Sequence, residues 1–364
     1  MTISIPASRA PAVCFTQASA TVELSCNLPA ALHAAAATLH AYERSERTPD
    51  WRVHIQAVAR LPKASEHHGF ASASAQEIGR GDNVRAIDVA DERLFLIEPH
   101  HTLVVLAPTR RQITAYCTNE QHALALAIRL VRQAMTAELL LAGAVYAHAA
   151  AARIRGRGVM ICAHKNHGKT TTLIALLRHL PGSDFVSNDR LLLHESNFGV
   201  IGHTWPSHIR AGIGTLLAYP DLTDLVPTCA RALAPEQRWR AGKVSIEPDQ
   251  FPRFISSGEI TSSCEISALI WPTLSPEQHG THIKPVPAAE VERELVATRL
   301  FMLDPNSGIS CHVNHWLIPA PPTAEQTDRI RHVGRALAAS VPCFRVRAGL
   351  DPAALAAAIG EVVQ

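Results

Sequence analysis

Residues 163–170 read AHKNHGKT and carry the strongest chemical signal in the chain. An apolar run at 159–163, VMICA, feeds this segment, and a helix-compatible stretch from Thr170 to about His179 follows it. A tight turn between a strand and a helix start aims backbone N–H groups and the positive end of the helix dipole at one spot, which suits phosphate. In such a turn Lys169 would reach the β- and γ-phosphates of ATP, and the Thr170 hydroxyl would ligate Mg²⁺. His164, Asn166, His167, Gly168 and Thr171 complete the expected nucleotide-binding set. The full pattern is GxxxxGK[ST], and Ala163 stands where it asks for the first glycine. The competing reading is a chance Gly-Lys-Thr at a helix start.

A magnesium-dependent nucleotide site needs a carboxylate at the end of a neighbouring strand. Asp189, in FVSNDRLLL, lies 20 residues beyond Lys169 and supplies one, unless it only caps a turn. His148, in YAHAAA, lies 21 residues before Lys169. It is either packed in an Ala-rich run or placed to act on a reacting group. Arg238, Arg240 and Lys243 form a short basic cluster before an expected strand, where they close over phosphates or substrate or form a solvated turn. Cys311, His312 and His315 are near enough in sequence for a metal, but without a partner cluster they make a weak zinc site. The pairs His67–His68 and His100–His101 are expected to be solvated loop residues.

The elements that must position these groups fall into two styles. Up to Cys117 the chain is strand-rich. VEL at 22–24, WRVHIQAV, RLFLIEP, HTLVVLAP and RQITAYC are short runs of β-forming residues separated by turn signals. The Ala-rich stretch 28–42 is compatible with a helix, and 66–75 is expected to be a mobile loop. From 119 to 143 Leu124, Ile128, Val131 and Met135 recur at helical spacing, and Gly143 closes the segment. After that the style is α/β, with strands expected at 152–154, 159–163, 184–187, 265–271 and 343–347, and a terminal helix from Pro352. Pro-rich APPT at 320–323 separates the last two blocks.

Composition excludes several classes. The chain has 364 residues, room for more than one domain at about 150 residues each. With 47% hydrophobic and 18% charged residues it is not a disordered chain. A net charge of +2 gives no basic surface for nucleic acid or membrane, so an anionic ligand must be held locally. No apolar run approaches the ~20 residues of a membrane span, and the first residues lack a secretory signal. Eight scattered cysteines without CxxC fit reduced thiols and a cytoplasmic protein.

Taken together, HA at 148–149, GRGVMICAHKNHGKTTTLIALL and FVSNDRL resemble the C-terminal catalytic domain of HPr kinase/phosphorylase, of the phosphoenolpyruvate-carboxykinase-like kind. That family shows a His-Gly element, a Gly-x-Gly-Val-Leu strand, a phosphate loop with its helix, and an Asp-Asp-Arg motif. HIRAGIGTLLAYPDL at 208–222 looks like its Glu-Ile-Arg-Gly-Leu-Gly signature and next helix. The resemblance spans about 145–225 and implies phosphoryl transfer from ATP to a hydroxyl; Arg210, which keeps the signature Arg, and Lys243, from the basic cluster, are expected toward the substrate. It also exposes two departures. The family's general base, the first Asp of Asp-Asp-Arg, is Asn188 here, and the signature Glu is His208. Asp189 or His148 replaces the base, or the chemistry needs little base. The departures imply a divergent branch, of the kind found in natural-product and peptide-modification gene sets.

The resulting expectation is an α/β chain. A strand-rich α+β N-terminal domain, 1–143, would serve substrate recognition, followed by an HPr kinase-like P-loop domain, 144–364. Its function would be an ATP- and Mg²⁺-dependent kinase acting on a Ser-like hydroxyl of a peptide or small metabolite, with His148, Lys169 and Asp189 as catalytic residues and Thr170 and Asp189 on the metal. The alternative is an inactive nucleotide-binding sensor or assembly protein of the same fold. Homo-oligomerisation is expected only by analogy with the family.

Overall fold

The structure, a computed structural model, describes residues 11–79, 82–197, 199–297, 300–301, 317–318 and 323–363. It is a mixed α/β protein with two large sheets. The chain divides into two compact units, Met1–Leu139 with Cys311–Ala320, and Leu140–Ser310 with Pro321–Gln364. No helix among the described residues is long and apolar enough to cross a membrane.

The first unit is built on a nine-stranded sheet of β1 (Ala12–Gln17), β2 (Ala20–Cys26), β3 (Glu43–Arg44), β4 (Trp51–Ala57), β5 (Ala75–Gly79), β6 (Asp82–Val89), β7 (Glu92–Ile97), β8 (Thr102–Ala107) and β9 (Gln112–Cys117). Their order is β3-β1-β2-β4-β9-β8-β7-β6-β5. The β2–β4 and β4–β9 pairs are parallel; the other pairs are antiparallel. Helix α1 (Pro29–Thr38) starts on a proline, whose fixed φ suits a first helical turn. Helix α3 (Glu120–Leu141) buries Leu126, Leu130, Val131 and Met135; of the four residues read at helical spacing, Val131 and Met135 are buried and Leu124 and Ile128 half-buried. Trp51 Nε1 donates to Glu138 Oε1 at 2.7 Å, tying β4 to that helix.

Two expectations fail in this unit. The stretch 66–75 is not a bare loop. A 3₁₀ turn at Lys63–Glu66 and helix α2 (Gly69–Ser72) occupy it, with Phe70 buried. The core reached by that one aromatic ring overrides the small polar residues around it. Nor is His100 a solvated loop residue, because its Nε2 lies 2.8 Å from Asp82 Oδ1 and its ring stacks on His122 at 4.0 Å. Burial pushes the His122 imidazole down to about 4, helped by the neighbouring His100.

The second unit centres on β12 (Arg157–Ile161). It is preceded by β10 (Val145–Ala147) and β11 (Ala150–Ile154), and followed by α4 (Lys169–His179), β13 (Ser183–Ser187), β14 (Leu191–Ser196) and β15 (Gly199–Thr204). Then come β16 (Ile209–Gly212), α5 (Ile213–Leu217), β17 (Lys243–Ile246), β18 (Ser263–Leu274), β19 (Thr281–Pro285) and β20 (Cys343–Ala348). The sheet runs β10-β14-β15-β18-β12-β11-β13, and β20 also pairs with β18 and β19. Strands β12, β18 and β20 are mutually parallel, whereas β11 runs against β12.

The unbroken apolar run of β12 follows from burial on both faces. Val159 and Ile161 face Leu173, Ile174 and Leu177 of α4, together with Leu355 and Ile359 of the terminal helix Pro352–Val362. Met160 and Cys162 face a second layer with Val291, Leu295, Val333 and Leu337, from helices Ala288–Ala297 and Thr323–Ser340. Each fully buried Leu or Ile contributes about 1.5–3 kcal/mol. The result is a sheet clad in helices on both faces, with the 162–168 loop leaving the carboxyl end of its central strand.

Candidate active site

The loop between β12 and α4 is shaped by two residues at positive φ, Asn166 (67°) and Gly168 (101°). A Cβ at Gly168 would lie 2.5 Å from the Leu274 side chain, so only glycine lets the loop close against the end of β18. Leu274 N donates to His167 O at 3.3 Å and fastens the same contact. No side chain caps α4, so its first N–H groups keep their hydrogen-bonding capacity at the loop. His164 and Asn166 are exposed, while His167, Gly168, Thr170 and Thr171 are half-buried. The rings of His164 and His167 meet edge to face at 5.3 Å.

Lys169 opens α4 with a side chain only 10% exposed. Its Nζ donates to Asp189 Oδ1 at 2.9 Å and lies 3.4 Å from Asp189 O. His148 Nε2 lies 3.0 Å from the same Oδ1, and Arg190 Nε lies 3.8 Å from Oδ2. Burial alone would raise the Asp189 pKa. The His148 hydrogen bond and the Lys169 charge outweigh it and hold the carboxyl well below the usual carboxylate range. Burial pushes the Lys169 ammonium down, and Asp189 counters that shift. Because the carboxylate is ionised and accepts, His148 Nε2 carries the proton between them.

Backbone geometry brings these groups together. His148 sits in the short link between β10 and β11, where its N–H donates to Leu300 O at 2.7 Å. Asp189 sits between β13, which follows α4, and β14, which pairs with β10. Residues 20 and 21 positions either side of Lys169 therefore converge on it.

Around this centre lie residues whose role the sequence did not reveal. Thr170 Oγ1 donates to Asn188 Oδ1 at 3.2 Å, so the amide at 188 holds the hydroxyl expected on a metal. Thr171 Oγ1 and Thr215 Oγ1 are 2.7 Å apart and join α4 to α5. Arg190 donates to Tyr146 Oη at 2.9 Å and lies 4.5 Å over the Trp205 ring, which fixes the guanidinium behind Asp189.

Arg210 and Lys243 are exposed on the β16–β17 ribbon, where Arg210 pairs with Ser245 and Gly212 with Lys243. That register puts both side chains on one ribbon face, as diagonal neighbours. Lys243 is close enough to Lys169 to lower its pKa. His208 Nδ1 lies 3.2 Å from Glu247 Oε2, at an angle that makes no hydrogen bond. Arg238 is used within its own turn, its Nε donating to Leu233 O at 3.0 Å. Cys311, His312 and His315 lie outside the described residues.

Thr170, Asp189 and the exposed loop amides are oxygen donors and N–H donors of the kinds that suit Mg²⁺ and phosphate respectively. The arrangement can hold an anion at the start of α4, present a buried cation to it, and place an imidazole–carboxylate pair beside it.

No family model matches the chain, and no curated protein matches it. Among solved structures it is similar to the HPr(Ser) kinase/phosphatase from Coxiella burnetii, with 14% sequence identity. The similarity covers 60% of this chain and 93% of that one, at a TM-score of 0.27.

Proposed function

We propose that the second unit is an ATP- and Mg²⁺-dependent phosphotransferase that moves the γ-phosphoryl group to a Ser-like hydroxyl of a peptide or small metabolite. The observation that carries this reading is the Lys169–Asp189–His148 cluster at the start of an uncapped helix. A nearly buried lysine bound to one carboxylate oxygen shared with an imidazole is costly to assemble without a ligand to receive it. Lys169 exchanges Asp189 for the β- and γ-phosphate oxygens, and the loop amides of 164–171 hold the rest of the triphosphate. Thr170 and Asp189 hold Mg²⁺, which when bound neutralises charge building on the phosphate oxygens. His148 takes the acceptor proton through Nδ1, while Asp189 holds the opposite N–H and stabilises the imidazolium. The acceptor oxygen bonds to phosphorus as the bond to the β-phosphate oxygen breaks, and ADP leaves. Arg210 and Lys243 face the acceptor, and the first unit serves its recognition.

The test is mass spectrometry of the protein with Mg²⁺, labelled ATP and candidate peptides or extract, with Lys169→Ala beside it. A phosphorylated product that requires Lys169 supports the kinase. ATP binding with no product from any fraction replaces it with a nucleotide sensor, the reading that Asn188 in place of a carboxylate favours. Turnover unchanged in Lys169→Ala overturns both.

A further inference from the structure

The first unit contains a second cluster of titratable side chains, unconnected to the reading above. Asp82, His100 and His122 each offer one ligand atom, and these atoms lie within 4.8 Å of one another. Among the described residues it is the one group in which three metal-ligating side chains converge. We propose that these three residues form a binding site for a divalent transition metal of the zinc class.

Three separate elements build the site. Asp82 is the first residue of β6, and His100 ends the 3₁₀ turn between β7 and β8. His122 lies in the first turn of α3, where its N–H is fixed by Asn119 Oδ1 at 3.0 Å. The hydrogen bonds around His122 can present Nε2 to an ion. Thr102 Oγ1 lies 3.1 Å from His100 O, which only accepts, and 2.8 Å from His122 Nδ1. In the metal-bound form the hydroxyl donates to that carbonyl and accepts from Nδ1, which leaves the Nε2 lone pair to the ion. Hydrogen bonding of one ring nitrogen to an outer partner while the other faces an ion is how protein metal sites fix a histidine tautomer. His122 is 9% exposed, so the ring is not held there for contact with water.

His100 Nε2 and Asp82 Oδ1 are already 2.8 Å apart, close to the separation of about 3.3 Å between two ligands on a tetrahedral ion with bonds of ~2.0 Å. The ion takes the place of the proton between them: the ring proton of His100 moves through solvent from Nε2 to Nδ1, and Nε2 turns its lone pair to the ion. Arg129, seven residues along the same helix from His122, has NH1 3.8 Å from Asp82 Oδ2. Its charge lies on the side of the second carboxylate oxygen, and Oδ1 is the oxygen that faces the histidines. Two imidazoles and one carboxylate oxygen, with a neighbouring guanidinium, disfavour Ca²⁺ and Mg²⁺, which need several oxygens, and suit Zn²⁺ or Co²⁺ with water in the fourth place.

The experiment uses the full chain, stripped with chelator and loaded with Zn²⁺, or with Co²⁺ as a spectroscopic probe, and reads metal per chain, affinity and visible absorption. One equivalent is expected, with a tetrahedral Co²⁺ spectrum that lacks a thiolate charge-transfer band. Asp82→Asn and His100→Ala should each weaken binding at least tenfold, and His122→Ala should abolish it. Thr102→Val, which removes the partner of Nδ1 together with the hydroxyl bond to His100 O, should cost about 10- to 100-fold. Circular dichroism of each variant separates loss of the site from loss of the fold. No retained metal in the parent, or retention unchanged in folded Asp82→Asn and His100→Ala, overturns the proposal. So does a thiolate band that vanishes in Cys311→Ser. None of these readouts depends on phosphoryl transfer.

Discussion

Lys169 is held by a partner it must release, and that makes its contribution measurable. Lys169→Ala should lower phosphoryl transfer by roughly 100- to 1,000-fold, the loss of one strong charge-stabilising donor, with the circular dichroism spectrum kept. Asp189 gives a pH signature. Its folded pKa is depressed, so the unfolded chain binds the extra proton, and the stabilisation is complete above the ordinary carboxylate range near 3.9 and fades as pH falls below it. The gap between melting curves of the parent and Asp189→Asn should therefore hold from about pH 7 down to about pH 4 and narrow as pH falls further. A gap that widens on acidification would refute the assignment. Asn188→Asp tests the base. With His148 taking the proton, a carboxylate added beside Asp189 in this buried position should give no gain in rate, because the acceptor proton already has its base. A rise in rate would move the base to position 188. The spacing of His148 and Asp189 about Lys169 was legible in the sequence because each follows a short strand: His148 comes just after β10, Asp189 just after β13, and Lys169 ends the loop that leaves β12. Glu247 beside His208, and His122 beside His100, were not. Strand register and helix docking bring those pairs together, and neither leaves a local trace.

At the scale of elements, the junction of the 162–168 loop with β18 carries the sharpest prediction. Gly168→Ala adds a Cβ 2.5 Å from Leu274 and demands a left-handed backbone of an alanine. Strain of this kind costs about 1–3 kcal/mol, and the contact adds to it. Thermal melting of Gly168→Ala should show the loss, and Leu274→Ala in the same chain should restore the contact share while leaving the backbone share. Full restoration would mean that the positive φ costs nothing. Of the strands that the sequence made legible, β8, β9 and β12 bury most of their residues, so their apolar runs stand out, while β4 and β20 alternate buried apolar residues with exposed or half-buried ones. Strands β5 and β6 left no clear run because exposed Gln76, Glu77 and Asn83 and half-buried Arg85 interrupt them. The helix Thr323–Ser340 was missed for a similar reason. Its mostly polar residues hide a stripe of Ile330, Val333 and Leu337, whose spacing was available to be read.

For the whole molecule, the division into two units predicts where a nucleotide is felt. Hydrogen exchange with Mg²⁺ and ATP should slow at 163–171, 188–190 and 208–212, with the β1–β9 sheet unchanged. Protection confined to that sheet would place the nucleotide elsewhere. The α/β character, the long helix before residue 143 and the change of style after it were legible in the chain, because composition and periodicity report on whole segments. The order of the strands was not, since it depends on pairings between distant segments, and β18 is the extreme case. It borders β12 along its length and changes partner on its other side from β15 to β20. Leu274, which closes the loop at Gly168, is made 105 residues after Lys169. At about 5–20 residues per second, a ribosome needs about 5–20 s to cover that interval. Throughout it β12 has no partner on that side, and its apolar edge is open to any passing strand. A growing chain thus carries the complete phosphate-loop sequence for seconds before it has the strand against which that loop closes.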